Sequence, residues 1–264
     1  MGKILESTKA QKKHTGLRIF MYAPPKFGKS RWAANIPNHI FANIEDGLKA
    51  IPNAVATSKL ETYDDFCELI GELSTENHEY QTLIIDTVDW LEVLISRDIV
   101  KKMGNPAYKT IEDIPFGKGY PLLVSETRKL ITQGLEYLVS EKGMNIICLA
   151  HSDRKTINPP VGDSYDYYAP KLYGKKDKND TTLSAWTEWS DIIGFGYTKI
   201  YTKTAGSGFS ENKQAVGGEK YLYLSDKNPA FLAGSRYNMP NEIPFTWEAF
   251  CEALAQFNNE NKGE

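Results

Sequence analysis

The chain has 264 residues, 41% hydrophobic and 25% charged, with a formal net charge of −3. Such values are ordinary for a soluble globular protein and exclude a generally basic nucleic-acid coat, though not a local basic groove. No apolar run reaches the ~20 residues of a membrane helix or forms a signal-peptide core, and the three isolated cysteines and four scattered histidines give no disulfide or zinc spacing.

Residues 1–16 are polar and lysine-rich and read as a flexible arm. The sequence assigns 17–257 to one domain and 258–264 to a polar tail. Leu17 to Tyr22 is a buried strand, followed by Ala23-Pro24-Pro25-Lys26-Phe27-Gly28-Lys29-Ser30. These eight residues fit the phosphate-binding P-loop at every position but the first, where alanine replaces glycine. A short helix from Ser30, stopped by Pro37, supplies the strand–loop–helix context that the motif needs. Loop N–H groups, with Arg31 just beyond them, would cradle the phosphates of ATP. Lys29 would meet the β- and γ-phosphates, and Ser30 would ligate Mg²⁺. The bland alternative is a chance Gly-Lys-Ser.

His39 to Ile44 reads as a second strand ending in Glu45. Thr62 and Asp65 resemble a capping box, and Phe66, Leu69, Ile70 and Leu73 carry a helical period behind it. Thr82 to Asp86 is a third buried strand, and a helix with Trp90, Leu91, Leu94 and Ile95 follows. Asp86 would complete the Mg²⁺ shell in the manner of a Walker B strand. Glu45, at the same sheet edge if the strands are parallel, could activate water; otherwise it is a helix-start carboxylate.

Residues 104–120 read as a loop, Pro121 to Gly143 as a long helix, and Asn145 to Ala150 as a fourth buried strand. Strands that alternate with helices, each a continuous apolar run, imply an α/β core with a mostly parallel sheet covered on both faces. His151 would emerge at the nucleotide edge and could sense the γ-phosphate; a histidine bonded to local backbone is the alternative. Residues 152–183 show no period and read as a loop. There Tyr165, Tyr168 and Tyr173 interleave with Lys171, Lys175, Lys176 and Lys178, the chemistry of single-stranded DNA contact, or else a solvated surface. Strands from Asp191 to Tyr201 and Glu219 to Ser225 would flank a hairpin tip at 204–218, with Lys199 and Lys203 extending the groove. Phe245-Thr246-Trp247 opens a last helix, in which Phe245 could staple to Phe250.

In this order the landmarks resemble the RecA-like ATPases, and more narrowly the phage-encoded P-loop proteins of the Sak-type annealing and recombination group. The resemblance rests on Tyr22 to Ser30, Phe41 to Leu48, Leu83 to Thr87 and Ile146 to His151. It implies a catalytic glutamate at Glu45 and a γ-phosphate sensor at His151. It also implies an arginine finger at Arg236, within Ala233 to Pro240, which would reach the ATP of a neighbouring subunit in a ring or filament. Gly234 stands where such segments carry a lysine, and a surface ion pair is the plainer reading of Arg236. The expected function is an Mg²⁺-dependent ATPase that binds single-stranded DNA and promotes annealing or strand exchange. A single-strand-binding protein is a further expected partner, and the setting would be cytoplasmic, that of a bacterial host if the chain is phage-encoded. A helicase or helicase loader and a nucleotide-gated scaffold are the rival readings.

Overall fold

The computed structural model describes residues 16–174, 179–205 and 212–260. The expected arm at 1–15, part of the hairpin tip (206–211), Lys175, Lys176 and Lys178, and the end of the tail at 261–264 lie outside them.

Among the described residues nine strands form the sheet: β1 (Arg18–Ala23), β2 (His39–Asn43), β3 (Thr82–Asp86), β4 (Asn145–Ile157), β5 (Tyr165–Pro170), β6 (Ile192–Ala205), β7 (Asn212–Tyr223), β8 (Gly234–Ser235) and β9 (Glu242–Pro244). The main path runs β2-β3-β4-β1-β6-β7-β9, with β5 paired to β4 and β8 to β6. The pairs β2–β3, β3–β4, β4–β1 and β1–β6 are parallel. Antiparallel pairing is confined to the later strands and to β4–β5. This is the α/β class that the continuous apolar strands predict, with the expected antiparallel strands towards the C-terminus.

Alternation along each central strand feeds two cores. Phe20 and Tyr22 of β1, Leu83 and Ile85 of β3, and Ile146 and Cys148 of β4 face one side. There they meet α2 (Tyr63–Thr75), α3 (Val88–Met103), α4 (Gly119–Lys129), α5 (Glu136–Ser140) and α6 (Thr182–Trp189). Ile19 and Met21, Ile84, and Ile147 and Leu149 face the other side, against α1 (Lys29–Ala33) and α7 (Trp247–Glu260). Burial on both faces is what makes these strands read as unbroken apolar runs. Among the described residues no helix is long and apolar enough to cross a membrane.

The Thr62–Asp65 capping box is formed, with the Asp65 amide donating to Thr62 Oγ1 at 3.1 Å. Thr246 Oγ1 accepts from the Ala249 amide at 3.1 Å at the start of α7. Phe245 packs edge-on against Phe27 at 4.7 Å and over Trp32 at 6.0 Å, so its ring serves the P-loop as well as α7.

Four segments differ from expectation. The helix expected over Pro121 to Gly143 begins at Gly119 and passes through a π-helical stretch, Leu130–Leu135, before α5 ends at Ser140. Residues 104–120 contain two 3₁₀ turns, Ile111–Asp113 and Pro115–Gly117. The loop expected over 152–183 is largely ordered pairing. β4 runs on to Ile157 and turns back antiparallel as β5, with Ser152 opposite Pro170 and Ile157 opposite Tyr165, and α6 starts at Thr182. Beyond His151 both faces of this hairpin are mostly exposed, so no apolar alternation marks it in the sequence. β6 and β7 also extend further into 204–218 than expected, around a register shift between Lys199 and Ile200.

Gly196 of β6 lies beside the P-loop. A Cβ there would stand 2.7 Å from the Phe27 ring and 2.9 Å from Ala23 Cβ. Gly196→Ala should therefore cost about 1–3 kcal/mol in a urea unfolding curve. Gly71→Ala, on the open face of α2 with nothing within 4 Å, should instead gain up to about 1 kcal/mol in the same measurement.

Candidate functional site

β1 runs directly into the P-loop, which turns on two residues of positive φ, Lys26 at 60° and Gly28 at 112°. A side chain at Gly28 would be strained, which is why glycine is needed there. The Phe27 amide bonds to the Pro24 carbonyl at 3.3 Å, and the Trp32 amide bonds to the Gly28 carbonyl at 2.9 Å. The amides of Lys29, Ser30 and Arg31 precede that first helical bond, so they have no intrahelical acceptor. Ala23, where the motif has glycine, is simply the last residue of an extended strand. Its Cβ is accommodated because the facing position on β6 is Gly196.

In-register parallel pairing brings the other expected residues to the same edge. Ala23 is opposite His151, and Asn43 is opposite Asp86. The Ile44 and Glu45 amides both donate to the Asp86 carbonyl at 3.2 Å, which pins Glu45 beside the end of β3. Together with the P-loop, Glu45, Asp86, His151 and Lys220 line one cavity of about 380 Å³.

Lys29 is 5% exposed, and its Nζ donates to the Ala23 carbonyl at 3.2 Å and the Pro24 carbonyl at 3.3 Å. Burial lowers its pKa, while Glu45, Asp86 and Asp89 pull it upward. Asp86 is 3% exposed and hydrogen-bonds Ser30. Burial, reinforced by the Glu45 charge, pushes its pKa up to about 6 despite Ser30, Lys29 and His151.

His151 is clamped by a residue that sequence reasoning missed. Asp89, in the first turn of α3, accepts from the His151 amide at 3.1 Å and bonds the ring Nδ1 at 2.9 Å. A carboxylate partner makes Nδ1 the proton-bearing nitrogen of this pair. Nε2 is left facing Glu45 Oε1 at 3.7 Å. Burial pushes the Asp89 pKa up, but the bonds and charge of His151 outweigh it and hold the carboxyl below its ordinary range. Thr87 Oγ1 donates to Glu45 Oε2 at 3.5 Å from the third side. The only sequence signal for Asp89 is its position three residues beyond Asp86.

Lys220 was also missed. It reaches the P-loop from β7, donates to the Phe27 carbonyl, and sits 4.9 Å from the centre of the Phe27 ring.

One turn along α3 from Asp89, Glu92 accepts from the Tyr173 amide at 3.0 Å and from the Thr182 hydroxyl. The Lys171 amide donates to the His151 carbonyl at 2.8 Å, and Lys155 Nζ donates to the Leu172 carbonyl at 2.8 Å. Of the residues expected to meet DNA, Tyr165, Tyr168 and Lys171 are exposed. Tyr168 stacks on Phe195 at 5.3 Å, and its carbonyl accepts from the Tyr22 hydroxyl at 2.8 Å. Tyr173 stacks on Tyr120 at 4.4 Å. Each of these two rings therefore has one face already covered.

Arg236 lies at the opposite edge of the sheet. Its Nη1 pairs with Asp191 Oδ1 at 3.0 Å and its Nη2 donates to the Glu188 carbonyl at 2.8 Å. Asp191 in turn holds Arg18, the first residue of β1, at 2.6 Å. This is the surface ion pair that the plainer reading of Arg236 expects.

A family model described as an AAA domain matches residues 15–237, and the chain belongs to that family. No curated protein matches it. Among solved structures it is similar to the crystal structure of the RadB recombinase, at 12% identity over 80% of each chain with a TM-score of 0.42.

Burial of Glu92 raises its pKa from the ordinary 4.5 to about 7 despite its Thr182 and Tyr173 bonds. Between those values the folded chain holds a proton that the unfolded chain releases, so this group's stabilisation is complete at low pH and is lost as pH rises through 7. Glu92→Gln should remove that loss. Thermal melts should show the variant more stable than wild type at pH 8.5, on the order of 1–3 kcal/mol, with no gain at pH 4.

Proposed function

We propose that this member of the AAA domain family is an Mg²⁺-dependent ATPase that binds single-stranded DNA and promotes annealing or strand exchange in phage-type recombination. One observation carries the nucleotide half of this reading. The P-loop, Glu45, Asp86 and His151 stand at the ends of adjacent parallel strands around one cavity of about 380 Å³.

The donors present fit Mg²⁺. Asp86 and Ser30 offer hard oxygen ligands, and the burial that, with the Glu45 charge, raises the Asp86 pKa penalises an anion that a bound cation would stabilise. Bound there, the ion would neutralise charge on the β- and γ-phosphates.

Lys29 would exchange the Ala23 and Pro24 carbonyls for the β- and γ-phosphates, a stronger pairing for an ammonium. Its burial keeps that charge poorly hydrated, which raises its electrostatic worth to an anion. Glu45, exposed at the cavity, would take the proton of the attacking water. His151, its Nδ1–H held by Asp89, would donate from Nε2 to the γ-phosphate as an imidazolium. The β4–β5 hairpin leaves the sheet immediately after His151, and the Lys171 amide bonds the His151 carbonyl. Those two links support a coupling between the γ-phosphate and the Tyr165–Lys171 segment, where stacking rings and lysines would hold a single strand. We assign Arg236 to a contact between copies in a head-to-tail homo-oligomer.

Steady-state ATP hydrolysis with Mg²⁺, alone and with single-stranded DNA, double-stranded DNA or RNA, tests both halves. Single-stranded DNA should stimulate turnover most. Glu45→Gln should lower turnover by about 10²–10⁴-fold while MgATP still binds. Wild-type turnover in Lys29→Ala would sink the nucleotide half, and indifference to every nucleic acid would sink the other.

A further inference from the structure

Lys220 is an ammonium whose surroundings do not account for it. Among the described residues no carboxylate pairs with it, and its acceptor is the neutral carbonyl of Phe27. Lys199, across the same hairpin, is by contrast neutralised by Glu242 at 2.6 Å. A neutral carbonyl is a weaker partner for a full charge than an anionic oxygen. Its Nζ also lies 3.9 Å from where a Cβ on Gly28 would stand, at the turn of the P-loop, and the residue lines the same cavity as Lys29 and Ser30.

The base of the residue is fixed by the sheet, and its tip is held by Phe27. Lys220 is in register with Thr198 of β6, and its carbonyl accepts from the Phe245 amide at 3.0 Å. Phe245 packs on Phe27, so strand, aromatic contact and loop form one block. From that base a flexible four-carbon stem passes the Phe27 ring, which holds the ammonium by a cation–π contact.

We propose that Lys220 is a phosphate-binding residue of this site, contributed in cis by β7, whose ammonium moves from the Phe27 carbonyl to the polyphosphate of a bound nucleotide. The proposal rests on reading the cavity as a nucleotide site. It makes the β6–β7 hairpin a direct reader of nucleotide state, because the strand that carries Lys220 is the strand that forms the hairpin.

Calorimetric titration of the full chain with MgATP, MgADP and AMP tests it. Lys220→Ala should weaken MgATP binding by about tenfold, with a smaller effect on MgADP and almost none on AMP, while Lys220→Arg stays within about twofold. Lys220→Met, which keeps the stem over the Phe27 ring, carries the same expectation should the alanine variant unfold. Wild-type affinity for MgATP in the folded Ala or Met variant overturns the proposal and leaves Lys220 as a cap on the Phe27 carbonyl. A wild-type chain that binds none of the three nucleotides overturns the nucleotide-site reading itself.

Discussion

Level ends of adjacent parallel strands are the constraint on which the rest of this site depends. Ala23 lies opposite His151, Asp86 opposite Leu149, and Asn43 opposite Asp86. With that register, the residues that follow each strand must leave the sheet on one side and within a few ångströms of one another. A slip of one residue in β4 would turn His151 to the other face of the sheet and bury a neighbour in its place. The register is itself held by burial: Phe20, Tyr22, Ile85, Cys148 and their neighbours have core on one face, and Met21, Ile84 and Leu149 have core on the other. The positioning of four polar groups is thus a consequence of apolar packing some distance away.

Electrostatics at the edge follow from crowding three carboxylates and two basic groups into little water. Asp89 is satisfied, because it takes two hydrogen bonds from His151, and its pKa falls. Asp86 is deeply buried, has one hydroxyl partner and faces Glu45, and its pKa rises. The two aspartates lie three residues apart yet differ in the sign of their shift, so they suit different work. Asp89 is committed to holding the histidine, whereas Asp86 keeps a single hydroxyl partner, Ser30. Lys29, folded back onto the carbonyls of its own loop, has weak partners that an anion can replace.

The parallel core, the P-loop and the strand-end positions of Glu45, Asp86 and His151 were legible because each is a local pattern: an apolar run, a glycine turn, a polar residue at its end. Asp89 was not, because its role depends on a strand that lies 62 residues away in sequence. Lys220 depends on pairing 193 residues from Phe27, and nothing local marks it. The β4–β5 hairpin was hidden for a different reason, since solvent on both faces removes the apolar period that reveals a strand. Ala23 shows the converse. Alone it is a departure from a glycine motif, but beside Gly196 it is a methyl transferred from one strand to its neighbour.

The aromatic residues past His151 divide into two kinds, and the division bears on how the hairpin can move. Tyr168 packs on Phe195, and Phe195 packs on Tyr22 at 4.9 Å, two residues from the P-loop's Pro24. Phe231 touches Tyr168, Phe195 and Tyr197 and binds the base of β5 to β6. Glu92 fixes Tyr173 to α3 one turn from Asp89. The base of the hairpin is therefore tied to the nucleotide edge through rings and through α3, while Tyr165 and the turn at 158–164 stand in solvent. The packed rings at its base leave little room for the ribbon to slide against the edge that carries His151.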